Sequence, residues 1–186
     1  MTGAAFFRAL APAILLTMAS LATATFAPRA SAAEGRMAPA SGPVLLEISG
    51  NISTSNATNA RDEAVLKLDR DAILALPQAT IDTHTGWTDG IQQFEGVRLV
   101  ALLDHAGADG SLITAIALND YRADIPISDL SEHDILVAHT WNGERMRVRD
   151  RGPLWIIYPS GPEVTSQPSL RNSKMVWQLE KLEISE

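Results

Sequence analysis

Apolar and polar residues alternate along most of this chain, and the alternation predicts strands. In Val44–Ile52 the side chains of Val44, Leu46 and Ile48 fall on one side, with Leu45, Glu47 and Ser49 on the other. That period of two marks a half-buried strand, with Gly50 as a bulge or turn. A polar loop (STSNATNARD) separates it from a second strand, 64–69. Residues 70–77 form a short helical turn that Pro77 ends, and 79–85 a third strand with Thr80, Asp82 and His84 on one face. One stretch has a different period. Over 97–107, Leu99, Leu102, Leu103 and Ala106 stand at i, i+3, i+4 and i+7, and Gly107 is a natural stop. This predicts the main helix. Residues 112–118 are apolar on both faces and read as a buried strand, and Asp120-Tyr121 leads into RADIPIS. Residues 134–148 predict a hairpin with Asn142-Gly143 at its tip, a dipeptide that tolerates the positive φ of a tight turn. Strands at 153–159 and 175–184 complete a single β-rich α+β domain of six to eight strands in mixed sheets.

The first third of the chain follows another logic. Met1–Leu10 carries one charge, Arg8, and an apolar run over 11–26 ends in the small-x-small sequence Ala30-Ser31-Ala32. Residues 1–32 therefore read as a signal peptide cleaved after Ala32, 33–43 as a flexible lead-in, and 44–186 as the domain. The apolar stretch, interrupted by Pro12, is shorter than a membrane-spanning helix needs, so no stable anchor is expected. A periplasmic or secreted location follows. The leader has no twin-arginine pair, which favours export of an unfolded chain.

Composition narrows the chemistry. The net charge of −7 becomes −9 without Arg8 and Arg29, which argues against nucleic acid as a partner. There is no cysteine, hence no disulfide, thiolate metal site or cysteine nucleophile. No histidine pair has metal-ligand spacing, and no nucleophile elbow or phosphate loop is present, so no metal site is assigned and the catalytic residues stay unknown. His84 and His139 lie in strands flanked by Thr and Trp. If those strand ends converge, His84, Trp87, Asp89, Tyr121, His139 and Trp141 would line one ligand-binding cleft; the competing reading, of each histidine as a satisfied strand residue, is the more common one. Arg145, Arg147 and Arg149, with Arg151, alternate in an otherwise acidic chain. On an extended segment they would share a face, to contact an anion or a partner, or to guard an edge strand.

Four blocks in order carry a family resemblance: FEGVRLVALLDHAG (94–107), LNDYRADIPISDL (118–130), DILVAHTWNGERMRVRDRGPLWIIYP (134–159) and NSKMVWQLEKLEI (172–184). Together they resemble the oxidoreductase molybdopterin-binding domain, with its sulfite oxidase-like fold. The resemblance implies that fold, molybdopterin as the cofactor and an oxidoreductase activity. It also implies a molybdenum-ligating cysteine near the end of a strand such as 79–85, where this chain has Thr83-His84-Thr85. A hydroxyl or neutral imidazole does not replace a soft thiolate. The expectation is a degenerate member without a bound cofactor, serving an unknown small ligand or envelope protein partner. The alternative is an active molybdopterin-dependent oxidoreductase with a non-cysteine metal environment.

Overall fold

In the computed structural model, residues 37–160 and 168–186 are described, and all of them belong to one compact unit. The signal segment expected at 1–32 lies outside the described residues. In chain order the strands are β1 (Val44–Gly50), β2 (Ala57–Thr58), β3 (Ala64–Asp69), β4 (Gln78–Thr83), β5 (Gln92–Arg98), β6 (Leu112–Ala117), β7 (Arg122–Pro126), β8 (Leu136–Trp141), β9 (Glu144–Arg145), β10 (Trp155–Ile157) and β11 (Leu179–Ser185). The helices are α1 (Arg70–Leu74), α2 (Leu99–Ala106), α3 (Asp129–Glu132) and α4 (Pro168–Lys174).

These strands form two sheets. One is mixed and six-stranded, in the order β2-β3-β1-β11-β6-β7, with β1 and β11 parallel and Glu47 opposite Lys181. The other is antiparallel, β10-β8-β5-β4, and β9 pairs with β8. The alternation seen in the sequence decides which side of β1 is core: Leu46 and Ile48 are buried, while Glu47 lies between Lys67 and Lys181 on the other side. Residues of both sheets share one continuous core, including Leu46, Leu66 and Leu182 from the first and Phe94, Val137 and Trp155 from the second.

The fold is the β-rich α+β domain expected, with differences in detail that have local causes. The main helix begins at Leu99, not at residue 97, because Val97 and Arg98 stay in β5 opposite Val137 and Leu136. Its stripe of Leu99, Leu102, Leu103 and Ala106 is buried, and Gly107 caps it at φ 59°. Eleven strands stand among the described residues in place of six to eight; β2 and β9 are two-residue pieces too short to show a period. The closing strand starts at Leu179, since Gln178 has φ 52° and interrupts the extended chain after Trp177. The Asn142-Gly143 turn forms with φ 50° and 78°.

The arginine run is the main correction. Only Arg145 is in a strand; Val148–Asp150 make a 3-10 turn, and Arg151 follows at φ 67°. The turn is closed by the Asp150 and Gly152 N–H groups donating to the Arg147 carbonyl, each at 2.8 Å. The arginines therefore do not share an extended face. In the lead-in, Met37 N–H donates to the Ser55 carbonyl, and the Ser41 and Gly42 N–H groups donate to the Asp69 carboxylate, both at 2.8 Å. The same carboxylate caps α1 through the Ala72 N–H.

Candidate functional site

The antiparallel sheet sorts its side chains by an irregularity. Phe94 pairs with Trp141 and Glu95 with Thr140, but Gly96 pairs with Ala138, so His139 is the extra residue of a β-bulge. Directly paired residues project to the same side of a sheet. Phe94, Trp141, Ala138 and Trp155 therefore share one face, while His139 and Thr140 turn to the other. Glycine at 96 is required here: a Cβ would stand 2.1 Å from the Val137 carbonyl oxygen. Bulges commonly re-aim a side chain in this way.

On the first face all four tryptophans of the chain gather. Trp155 is fully buried, and its Nε1–H donates to the Met175 carbonyl at 3.2 Å. Its ring meets Phe94, Trp87, Trp141 and Trp177 edge-on, with centroids 5.5, 6.2, 6.2 and 6.5 Å away. Trp87 and Trp177 stand 5.1 Å apart at 86°. The guanidinium of Arg151 lies 5.4–5.9 Å from the rings of Trp155, Trp141 and Trp177 and donates to the Trp87 carbonyl. Among the described residues Arg151 has no carboxylate partner, so the indole faces are its main counter-charge.

Beside this cluster lies a pocket of about 200 Å³. Trp87 and Trp177 form its aromatic walls, Met175 and Val176 its floor, and Asn119, Tyr121, Asn172 and Ser173 its polar rim. Among the described residues no charged side chain lines it. Tyr121 is fixed by its hydroxyl, which donates to the Ser173 carbonyl at 2.8 Å. The Asn119 carboxamide oxygen accepts the Tyr121 N–H, leaving its NH₂ group available.

Of the residues expected in one cleft, the structure brings Trp87 and Tyr121 together at this pocket and places Trp141 beside it through Trp155. The others stand apart. His84 is exposed beyond the end of β4, and Asp89 is exposed with its carbonyl accepting from Gln92. His139 is buried behind the bulge, bonded to Thr140 Oγ1 and Gln78 Oε1 at 2.8 Å each. Burial, with help from Arg70, holds its imidazole below the ordinary histidine value, and Glu95 opposes the shift. Arg145 and Arg147 border a separate open groove of about 860 Å³ with Trp141 and Leu45. Arg149 is exposed, 3.7 Å from Asp150. Among the described residues no group of three His, Asp or Glu side chains is placed to hold a metal ion. Trp155, Trp177, Asn172 and the central position of Arg151 were not anticipated; the signal for them was four tryptophans in a chain with two tyrosines.

The resemblance sets the stretch Thr83-His84-Thr85 against a metal-ligating cysteine, and the first residue of that stretch is closed off. Thr83 is 2% exposed. Its hydroxyl accepts the Ser160 N–H at 2.7 Å and donates to the His84 carbonyl at 3.3 Å.

No curated protein matches the chain. Among solved structures it is similar to the sulfane dehydrogenase SoxCD from Paracoccus pantotrophus, with TM-score 0.55 and 20% identity. That similarity covers 75% of this chain and 37% of the SoxCD chain, so the shared part is a minority of the larger protein. At this identity the likeness is one of fold, a sulfite oxidase-like arrangement of mixed sheets with few helices. The sequence pattern of the oxidoreductase molybdopterin binding domain matches residues 61–180, well over half of the chain, from β3 through the start of β11. The chain therefore belongs to the oxidoreductase molybdopterin-binding domain family.

Proposed function

We propose that this chain is a catalytically degenerate member of its family, exported to the cell envelope, where it serves as a binding module for a small ligand or a protein partner. One observation carries the reading: the stretch Thr83-His84-Thr85, where the family has its ligand cysteine, holds no thiol, and its Thr83 is buried and spent on internal hydrogen bonds. A molybdenum–dithiolene centre needs an anionic sulfur donor and an open coordination position. This chain has no cysteine, and the Thr83 hydroxyl has its donor and its acceptor engaged. The residues present do not fit the group. Neither does His84 substitute, because a neutral imidazole does not reproduce a soft, anionic thiolate.

The leader expected at residues 1–32 supports the same reading. A chain exported unfolded would reach the envelope without a cofactor inserted in the cytoplasm. What the domain retains is a rigid aromatic wall and a neutral pocket, which suit recognition more than redox chemistry.

The test is to express the full chain in a host that makes the molybdenum cofactor and purify it from the periplasm. Molybdenum is then measured by elemental analysis, and released pterin by fluorescence after denaturation. The expected result is both at background. Stoichiometric metal would overturn the proposal and favour an active oxidoreductase with a non-cysteine metal environment.

A further inference from the structure

We propose that the pocket between Trp87 and Trp177 binds one uncharged pyranose ring. The inference rests on the binding-module reading and gives it a site and a ligand class.

Three properties of the pocket select that chemistry. The first is size: about 200 Å³ lies below the roughly 300–1,000 Å³ of drug-sized sites and suits a single substituted six-membered ring. The second is wall geometry. Trp87 and Trp177 meet at 86°, making a corner and not a slot. A flat heteroaromatic ring is best held between parallel faces, whereas a corner receives a thicker saturated ring, one apolar C–H face against each indole.

The third is the polar set. Asn119 and Asn172 present carboxamides and no charge. A carboxamide offers donors and an acceptor side by side, the pattern of two neighbouring hydroxyls. The Asn172 side chain makes no hydrogen bond among the described residues, and it packs where Gly86 leaves room: a Cβ on Gly86 would stand 2.4 Å from its Nδ2. It is held in place by shape, with its bonding capacity free for a ligand.

Charged ligands fit less well. A cation in the aromatic corner would meet Arg151, which already lies 5.9 Å from the Trp177 ring. An anion would find no charged side chain in the lining among the described residues, and Arg151 is committed to three indoles and the Trp87 carbonyl.

The test is a titration of the full mature chain with methyl glucopyranoside, methyl galactopyranoside and N-acetylglucosamine, followed by NMR of the four indole N–H signals. Glucuronate and adenosine serve as the charged and flat comparators. The expected result is a saturable shift of the Trp87 and Trp177 signals with at least one neutral sugar. Asn172→Ala should weaken the affinity roughly tenfold, the scale of a lost hydrogen-bonding group. Gly86→Ala should do the same by displacing Asn172, with melting temperatures reporting that both variants remain folded. The wild-type shift map stands even if a variant fails to fold.

Absence of saturable shifts, shifts confined to Trp141 and Trp155, or equal binding of adenosine or glucuronate would each overturn the proposal. Molybdenum is measured on the same preparations. Metal-loaded protein that binds sugar would sink only the degenerate reading, and metal-free protein that ignores sugars would sink only this one.

Discussion

Replacing Arg151 by methionine should destabilise the domain by about 2–3 kcal/mol and change its tryptophan emission. The magnitude follows from what the guanidinium touches. A cation–indole contact is worth about 0.5–1 kcal/mol at an exposed site and about 2 kcal/mol when desolvated. Arg151 is half-buried against three rings, but one charge shared three ways does not count three times, so about 1–2 kcal/mol is reasonable for the set. The bond to the Trp87 carbonyl is charge-assisted but long at 3.3 Å, which adds about 1 kcal/mol. Methionine keeps much of the stem packing, so these polar contributions are what the substitution removes. For a domain of this size the loss corresponds to a fall of about 5–10 °C in Tm.

Three companion variants separate the causes. Arg151→Lys keeps the charge but loses the planar stacking surface, and should recover about half the deficit. Arg151 also has φ 67°, so Arg151→Gly should be about 1 kcal/mol more stable than Arg151→Ala, the reverse of the order in ordinary backbone. The assay is equilibrium urea unfolding followed by tryptophan fluorescence, which reads the perturbed cluster directly. An Arg151→Met variant within about 0.5 kcal/mol of wild type, with unchanged emission, would refute the reasoning, because that is the scatter of a neutral surface change.

Other consequences follow from the bulge. Gly96→Ala would put a methyl group 2.1 Å from the Val137 oxygen and 2.6 Å from the Ala138 Cα, both backbone atoms. The cost should reach the upper end of overpacking, about 3 kcal/mol, and an unchanged urea midpoint would show that the bulge can relax. His139, held neutral by burial, should make stability depend on pH. Its contribution is complete above the ordinary value of 6.5 and declines as the pH falls below it, because the unfolded chain takes up the proton first. Melting temperatures of wild type and His139→Gln between neutral and mildly acidic pH should therefore diverge, with wild type falling faster; parallel curves would contradict the assignment.

What could be read from the sequence was local. The helix was legible because Leu99, Leu102, Leu103 and Ala106 repeat within two turns, and the Asn142-Gly143 turn because two adjacent residues specify it. The placement of His139 was not, because it depends on Gly96, 43 positions away in the sequence and across a strand pair. Alternation alone put His139 and Trp141 on the same face; the extra residue in β8 separates them. The arginine run misled for a similar reason: alternating charges imply a shared face only if the chain stays extended, and the Arg147 carbonyl closes a turn instead. Trp155 and Trp177 came together through a bridge between β10 and the residues before β11, a pairing that no period announces.

The same non-local logic bears on whether the family's chemistry could be restored by one substitution. Thr83→Cys would supply the missing thiol at the end of β4, yet the hydroxyl it removes is the acceptor for the Ser160 N–H, and sulfur is a weak acceptor. The Ser160 N–H, on an exposed residue, would exchange a good acceptor for a weak one, at a cost of about 1 kcal/mol. The new thiol would also be enclosed at a site 2% exposed, with no group of acidic or histidine side chains placed to complete a metal site among the described residues. The expected outcome is a folded but less stable protein that still purifies without molybdenum from a cofactor-producing host. Elemental analysis and the urea midpoint measure both halves of the prediction. Stoichiometric molybdenum in Thr83→Cys would mean that the surrounding chain still forms the cradle and that only the sulfur had been lost. Its absence, with the expected loss of stability, would mean that the threonine has been built into the fold as a structural residue in its own right.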